Sequence, residues 1–484
     1  MDEYDLVAIG GGAAGIVASL TAAGLGARVA LVEAASQPGG DCLFTGCVPS
    51  KSLIASAKLV HQLRTADRLG LDAGEPSFDF ARVMERVQSV IEQAGAPDTP
   101  EALRERGVTV LRAHARFTSP GVIEAGERTL RYRGALIATG SAPLVPEIPG
   151  IEAAKPLTNE SVFGLRRLPR RIAILGGGAV GVELGQALAR LGGAVSIVEA
   201  QPRLLGQEDA EAALLVADTL RQEGIALELG SRAVEINAGP EGAGVLRLES
   251  EGRASTSLEY DRLLVAVGRR PVVEGLGLED VGVELDGDGA VRVDGALRTS
   301  ASRVFAAGDV VGGPMLTHVA GYQGLTAAMN ALLRTRRKVD TARVPRVVFT
   351  DPELAAVGLS EEQARRELSQ APLVFRHEYA DSDRALTAAE AHGFAKLVTD
   401  RRGRLLGATI IGPAAGESIA EVARAVGARE KVGSLSQTVH AYPTFTEAPA
   451  RAAAEWWTHR YLNPRGRRLL RPLLRILGTV GARR

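Results

Sequence analysis

The chain has 484 residues, and at about 150 residues per domain that suggests about three domains. Its 57 basic and 57 acidic residues cancel, which excludes whole-chain attraction to nucleic acid as the main theme. Two cysteines exclude a disulfide-stapled secreted scaffold and any zinc site built on three or four thiolates. The N-terminus, MDEYDLVAIG, is acidic where a signal peptide is basic, and no apolar run reaches spanning length. A cytoplasmic protein is expected.

Glycine clusters punctuate the chain. A strand over Tyr4–Ile9 runs into Gly10-Gly11-Gly12-Ala13-Ala14-Gly15, then an Ala-rich helix to about Gly24, then a strand Ala27–Glu33 ending in an acid. That is a βαβ unit with G-x-G-x-x-G at the strand-to-helix turn. A short strand, Ala135–Gly140, comes later. The same grammar then returns as strand Arg171–Leu175, turn Gly176-Gly177-Gly178-Ala179-Val180-Gly181, a helix, and strand Ala194–Glu199. Glu33 lies 18 residues past Gly15, and Glu199 lies 18 past Gly181. Short alternating segments between Ile225 and Asp261 suggest a small β-meander. Leu263–Gly268 repeats the texture of Ala135–Gly140, and Val304–Asp309 reads as a buried strand ending in Gly-Asp. From about Arg343, strand-like VPRVVFT, FAKLV and LLGATIIG alternate with helical stretches around Glu361–Leu368 and Glu417–Val426, a separate α+β domain. The tail, 464–484, carries seven Arg and no acid. With Leu and Ile opposite Arg467, Arg468, Arg471 and Arg475, it suits an anionic membrane surface or a partner, against a solvated terminal helix interrupted at Pro472.

A helix N-terminus presents unpaired N–H groups and the positive end of its dipole. Glycines let a pyrophosphate approach them, and the acid then accepts from a ribose hydroxyl. Two such turns imply two dinucleotides, one held in place and one diffusible, that is, a flavin and a nicotinamide. Glu199 suits a free 2′-hydroxyl and so favours NADH over NADPH, although Arg203 blunts its repulsion of a 2′-phosphate.

Both cysteines fall in Gly39-Gly40-Asp41-Cys42-Leu43-Phe44-Thr45-Gly46-Cys47-Val48-Pro49-Ser50-Lys51. Residues five apart on a regular helix rise by ~7.5 Å, whereas a disulfide needs Cα atoms within about 7 Å. If the cysteines pair, the stretch between them must be distorted, and Gly46 supplies the freedom. A helix beginning after Cys47 tolerates Pro49 in its first turn and lowers the pKa of a thiol at its N-terminus. A redox pair is favoured over two inert buried cysteines or half a metal site, since no local histidine completes the latter.

GGGAAG, GGDC-x4-CVPSK, GGGAVGVELG, VFAAGD and the late HAYPTFTE together resemble the pyridine nucleotide–disulfide oxidoreductases, the group of dihydrolipoamide dehydrogenase, glutathione reductase and mercuric reductase, over about residues 4–460. The resemblance implies an α/β fold with two Rossmann-like dinucleotide-binding domains and an α+β dimerisation domain. Residues 1–150 and 272–340 would bind FAD, 151–271 the nicotinamide nucleotide, and 343–463 would form the interface of a homodimer, leaving 464–484 as a basic amphipathic tail. FAD contacts would come from Gly10, Gly12, Gly15, Glu33, Thr139, Gly140, Ser141 and Asp309, with Met315, Leu316, Thr317 and His318 as the turn covering the isoalloxazine. Gly176, Gly178, Gly181, Glu199 and Gly268 would meet NADH or NADPH. Cys47 resembles the flavin-side thiol and Cys42 the outer thiol of a redox disulfide, and Lys51 with Glu183 the ion pair beside the flavin. No resident metal is implied.

One departure matters. The lipoamide and glutathione enzymes place a His five residues before a Glu, and that His, belonging to the partner subunit's active site, accepts the thiol proton. Here the position five before Glu447 is Tyr442, and His440 matches the non-base histidine of the pattern. At pH 7 about one unperturbed tyrosine in a thousand could accept a proton. Mercuric reductases also carry Tyr there, yet this chain shows neither their N-terminal metal-binding module nor a C-terminal thiol pair. The expected reaction therefore runs from NAD(P)H through flavin and Cys42–Cys47 to a metal ion or other non-thiol acceptor, with Tyr442 and Glu447 lining the acceptor pocket. Dihydrolipoamide-type disulfide chemistry is the alternative, and membrane-surface electron transfer to quinone or a membrane protein is another.

Overall fold

The structure, a computed structural model, describes residues 2–462 and, beyond them, 464, 468, 470–472 and 474. The tail anticipated at 464–484 thus lies largely outside the described residues. Among those described, no helix is long and apolar enough to cross a membrane. Contacts divide the chain into two units, the larger comprising Met1–Arg64, Ala73–Leu204 and Leu220–Thr341, and the smaller Thr65–Asp72, Leu205–Thr219 and the chain from Ala342 onward.

In the larger unit, strands β1 (Asp2–Ile9), β2 (Val29–Glu33), β3 (Val108–Arg112), β4 (Ala115–Ser119), β5 (Val122–Ala125) and β6 (Arg128–Ile137) form a sheet in the order β3-β2-β1-β6-β5-β4. Its centre is parallel, with Ile9 opposite both Val32 and Ile137. Val7 and Ile9 enter one core while Leu6 and Ala8 enter another. Alternate residues of a strand covered on both faces are all buried, which explains its unbroken apolar run. Helix α1 (Ala13–Gly24) crosses from β1 to β2, and α2 (Gly40–Phe44) and α3 (Cys47–Arg64) follow.

The second βαβ unit uses β7 (Arg171–Leu175), helix α4 (Ala179–Arg190) and β8 (Ala194–Glu199), extended by β9 (Ala226–Leu229). The anticipated meander is therefore shorter than expected. Its first segment joins the parallel sheet as an edge strand, and β10 (Ser231–Ala238), β11 (Gly244–Ser250) and β12 (Thr256–Tyr260) make the antiparallel remainder. Strand β13 (Arg262–Val265) completes the parallel order β9-β8-β7-β13. Strand β14 (Val304–Ala306) pairs with β6, and helix α5 (Thr317–Leu333) packs back beside α1. Three expected strands end early, since β6, β13 and β14 stop at Ile137, Val265 and Ala306. Gly140, Gly268 and Gly308 beyond them take φ of 72°, 141° and 83°, outside the extended region.

The smaller unit is an antiparallel sheet of β15 (Arg346–Val348), β16 (Glu353–Gly358), β17 (Leu373–Glu378), β18 (Phe394–Thr399) and β19 (Leu405–Gly412), in the order β15-β16-β19-β18-β17. Helices α6 (Ala415–Gly427) and α7 (Glu447–Trp457) bury Ile419, Val422, Ala452 and Trp456 against it. Residues 205–219 make most of their contacts within this unit. Buried Lys396 on β18 holds both Asp209 carboxylate oxygens at 3.0 Å and Glu211 at 3.0 Å.

Candidate active site

The two glycine turns are built alike. Gly10 and Gly176 take φ of 102° and 106°, and a Cβ on either would lie 2.3 Å from the carbonyl oxygen of Ala138 or Ala266. A Cβ on Gly15 or Gly181 would meet the carbonyl of Gly10 or Gly176 at 1.9 or 2.0 Å. No side chain works in either position. Gly12 and Gly178 cap α1 and α4 with no side-chain hydrogen bond, so the first-turn N–H groups remain open to an anion. The acids are anchored identically: Glu33 accepts from the N–H of Gly11 at 2.5 Å and of Ala35 at 2.7 Å, and Glu199 from Gly177 and Gln201, each at 2.7 Å. These cradles fit a pyrophosphate with a ribose beyond it.

The thiol loop comes after the first unit. Cys42 sits in α2, Thr45 and Gly46 break the helix, and α3 begins at Cys47 with Pro49 in its first turn. Both cysteines are free thiols. Cys47 Sγ lies 3.3 Å from the Thr317 hydroxyl. A hydrogen bond from Cys42 lowers the Cys47 pKa to about 6, with help from the Thr317 hydroxyl and the Lys51 charge, against burial and Asp41. Cys42 moves the other way, pushed far up by its bond to Cys47 and by burial, against Thr317. Of the two thiols, Cys47 is thus the readier to ionise.

Lys51 Nζ, one turn along α3 from Cys47, meets Glu183 Oε2 of α4 at 2.8 Å. Asp309 opens a short turn after β14, and burial raises its carboxyl pKa against the Ser141 hydroxyl, which donates to it at 2.6 Å, and the Arg269 charge. The Thr139 hydroxyl donates to the Val272 carbonyl at 2.6 Å. Thr317 and His318 are not a separate turn but the first residues of α5, with Leu316 as its cap and Met315 before it. Sequence reasoning missed three groups here. The Asn159 amide donates to Asp41 Oδ1 at 2.8 Å and to the Thr45 carbonyl at 3.2 Å, and Arg269 reaches Asp41 at 3.4 Å. Asp41 and Arg269 stand inside or beside motifs already singled out; Asn159 carried no signal.

In the smaller unit, Tyr442 and Glu447 do not share a hydrogen bond. Tyr442 donates to Asp383 Oδ2 at 2.5 Å, and that bond with its charge raises the phenol pKa further from a base. Glu447 accepts instead from the Thr444 N–H at 3.3 Å and from Arg451 at 3.2 Å. His440 places Nδ1 2.9 Å from the Thr438 carbonyl and Nε2 2.8 Å from Glu421. Both ring nitrogens are thus engaged by oxygens of the protein. Among the described residues no cluster of three or more His, Cys, Asp or Glu side chains is arranged to hold a metal.

The profile of the family described as pyridine nucleotide-disulphide oxidoreductase matches residues 4–324, and that of its dimerisation domain matches 344–453. The chain belongs to the pyridine nucleotide–disulphide oxidoreductases. It is 38% identical over 457 residues to the dihydrolipoyl dehydrogenase of Thermus scotoductus, covering 94% of this chain and 97% of that one. It is 35% identical over 460 residues to the mercuric reductase of Streptomyces lividans, covering 93% and 95%. Among solved structures, LpdA from Mycobacterium tuberculosis superposes with a TM-score of 0.84 at 29% identity, covering 94% of this chain and 100% of that one. The HOCl-induced flavoprotein disulfide reductase RclA from Escherichia coli, in its Cu(II) complex, gives 0.81 at 28% with the same coverage. As a pyridine nucleotide–disulphide oxidoreductase the protein is a flavoenzyme that uses FAD and NAD(P)H, and its dimerisation domain supports a homodimer.

Proposed function

We propose that this flavoenzyme carries two electrons from NADH through the Cys42–Cys47 pair to an acceptor that is not a thiol-linked disulfide, a soft metal ion first. FAD, when bound in the first cradle, supplies the two-electron relay between nicotinamide and sulfur. Gly10, Gly12, Gly15 and Glu33 would hold it with Ser141 and Asp309, while the second cradle and Glu199 take the dinucleotide donor, the carboxylate favouring a free 2′-hydroxyl. The Cys47 thiolate would face the relay and Cys42 the acceptor, with Lys51 fixed by Glu183.

One observation carries the choice of acceptor. Exchange between a dithiol and a disulfide substrate moves protons, and a base poised near pH 7 speeds it by about 10²–10⁴-fold. Here Tyr442 is a donor committed to Asp383, and His440 has both nitrogens engaged. Reduction of a thiolate-bound metal ion asks for electrons and soft ligands instead. A relative named mercuric reductase and a structural neighbour carrying Cu(II) support this reading. The dihydrolipoyl dehydrogenases among the relatives make lipoamide the competing substrate.

The test is anaerobic NADH oxidation with Hg(II), Cu(II) and lipoamide offered in parallel. The expected result is metal-dependent turnover at least about 100-fold above lipoamide turnover, with Tyr442→His raising the lipoamide rate about tenfold or more. Fast lipoamide turnover by the wild type would overturn the proposal.

A further inference from the structure

Asp41 immediately precedes the outer thiol, yet the electron path from nicotinamide to acceptor gives it no task. Its carboxylate is nonetheless held from several sides. Asn159 donates to Oδ1 at 2.8 Å, the Thr45 hydroxyl donates to the same oxygen, and Arg269 Nη2 lies 3.4 Å from Oδ2. Asn159 is itself buried and ties the Thr45 carbonyl into the clasp. A buried amide bridging both ends of a five-residue span fixes where that charge sits.

The cation beside Asp41 also serves a second acid. Arg269 is shared between Asp41 at 3.4 Å and Asp309 at 4.0 Å, and Lys51 is engaged by Glu183 at 2.8 Å. Asp41 is the most exposed of those acids, its side chain 38% accessible against 22% for Asp309 and 7% for Glu183. Its charge also reaches both sulfurs, opposing ionisation of each.

We propose that Asp41 is a specificity residue, a fixed anionic lip beside Cys42 that admits cationic acceptors and turns away anionic ones, with Asn159 as its positioning residue. This rests on the assignment of Cys42 as the acceptor-facing thiol, and it narrows the acceptor to a cation such as an aquated or thiol-stripped metal ion rather than an anionic disulfide.

The experiment uses two methanethiosulfonates on the NADH-reduced holoenzyme, one bearing a trimethylammonium group and one a sulfonate. In each case Cys42 passes its proton to the Cys47 thiolate and its sulfur attacks the sulfenyl sulfur, a mixed disulfide forms and methanesulfinate leaves, so no external oxidant or base is needed. The rate is read as loss of the long-wavelength thiolate-to-flavin band, and each cation-to-anion ratio is divided by that for 2-mercaptoethanol. The wild type should favour the cation by about fivefold or more at low salt, with the preference shrinking in 0.5 M NaCl at a Debye length of about 4 Å. Asp41→Asn should cut the ratio about threefold or more, Asp41→Glu should restore most of it, and Asn159→Ala should weaken it less. A ratio unchanged in Asp41→Asn, or both rates changed by one factor, would overturn the proposal. Peptide mapping of the Cys47→Ser variant separates the two claims. A label absent from Cys42 sinks the thiol assignment, whereas a labelled Cys42 with no charge preference sinks Asp41 alone.

Discussion

The two glycine turns share one backbone geometry to within a few degrees and tenths of an ångström, and they differ in what surrounds them. At the first, Gly12 is half-buried, Ala14 and Gly15 are buried, and α5 presses so close that a Cβ on Gly324 would lie 2.2 Å from the Ala14 carbonyl. At the second, Gly178, Ala179 and Val180 are exposed. One cradle is enclosed and the other opens to solvent, the difference a resident cofactor and an exchanging one require. The helices beyond diverge as well. The buried face of α1 is small and almost wholly apolar, whereas α4 buries Glu183, Gln186 and Arg190. Arg190 and Gln186 hold Glu223 at 2.6 and 3.0 Å, and Glu183 reaches Lys51 near the thiols. An identical anion site therefore serves two purposes according to its cover and to the charges its helix carries.

The contrast is broken most severely at the turns themselves. Gly10→Ala should give colourless protein holding less than about a tenth of its FAD, because the new Cβ meets a backbone carbonyl and the positive φ is strained. Gly176→Ala, with the same clash, should stay yellow and lose about 100-fold in kcat/KM for NADH. Absorbance at the flavin band and steady-state kinetics on both variants check this; loss of flavin from both would remove the distinction. Glu199→Gln sharpens the comparison more gently. It should raise the NADPH-to-NADH ratio of kcat/KM about tenfold, through loss of charge facing the 2′-phosphate, whereas Glu33→Gln should leave that ratio alone.

The smallest effect is a pH midpoint. Because the Cys47 pKa is lowered to about 6, its thiolate band in the reduced enzyme should be full above that value and fade as pH falls through it. Lys51 stabilises the thiolate, so Lys51→Met should move the midpoint upward. An unmoved midpoint would detach the second turn's helix, through Glu183, from the sulfur chemistry.

The glycine spacing, the paired acids and the Cys42–Cys47 segment were legible because each is a local requirement of the backbone, written within a few consecutive residues. Strand ends were less so. The apolar runs continue through Ala138 and Ala266, whose N–H groups still bond to Ile9 and Leu175, and nothing in composition marks Ile137 or Val265 as the end. The partners that decide the chemistry come from far along the chain. Asn159 is 118 residues from Asp41, and Asp383 is 59 from Tyr442. An isolated Asn or Asp in a loop carries no sign of the group it will meet. Likewise, Lys396 reads as an ordinary strand lysine, and nothing near it in the sequence announces its burial against Asp209.

That last feature bears on how such a protein can be cut and recombined. Asp209 and Lys396 are 4% and 3% exposed and bond at 3.0 Å, so a fragment ending near residue 341 would keep the carboxylate and lose its counter-charge. Stranding one member of a buried ion pair costs about 3–5 kcal/mol, a large share of a domain's stability. The dinucleotide-binding half is therefore not a cassette that can be lifted out at its sequence boundary. A graft of it onto another dimerisation domain has to bring a lysine to meet Asp209, or replace the acid along with the junction.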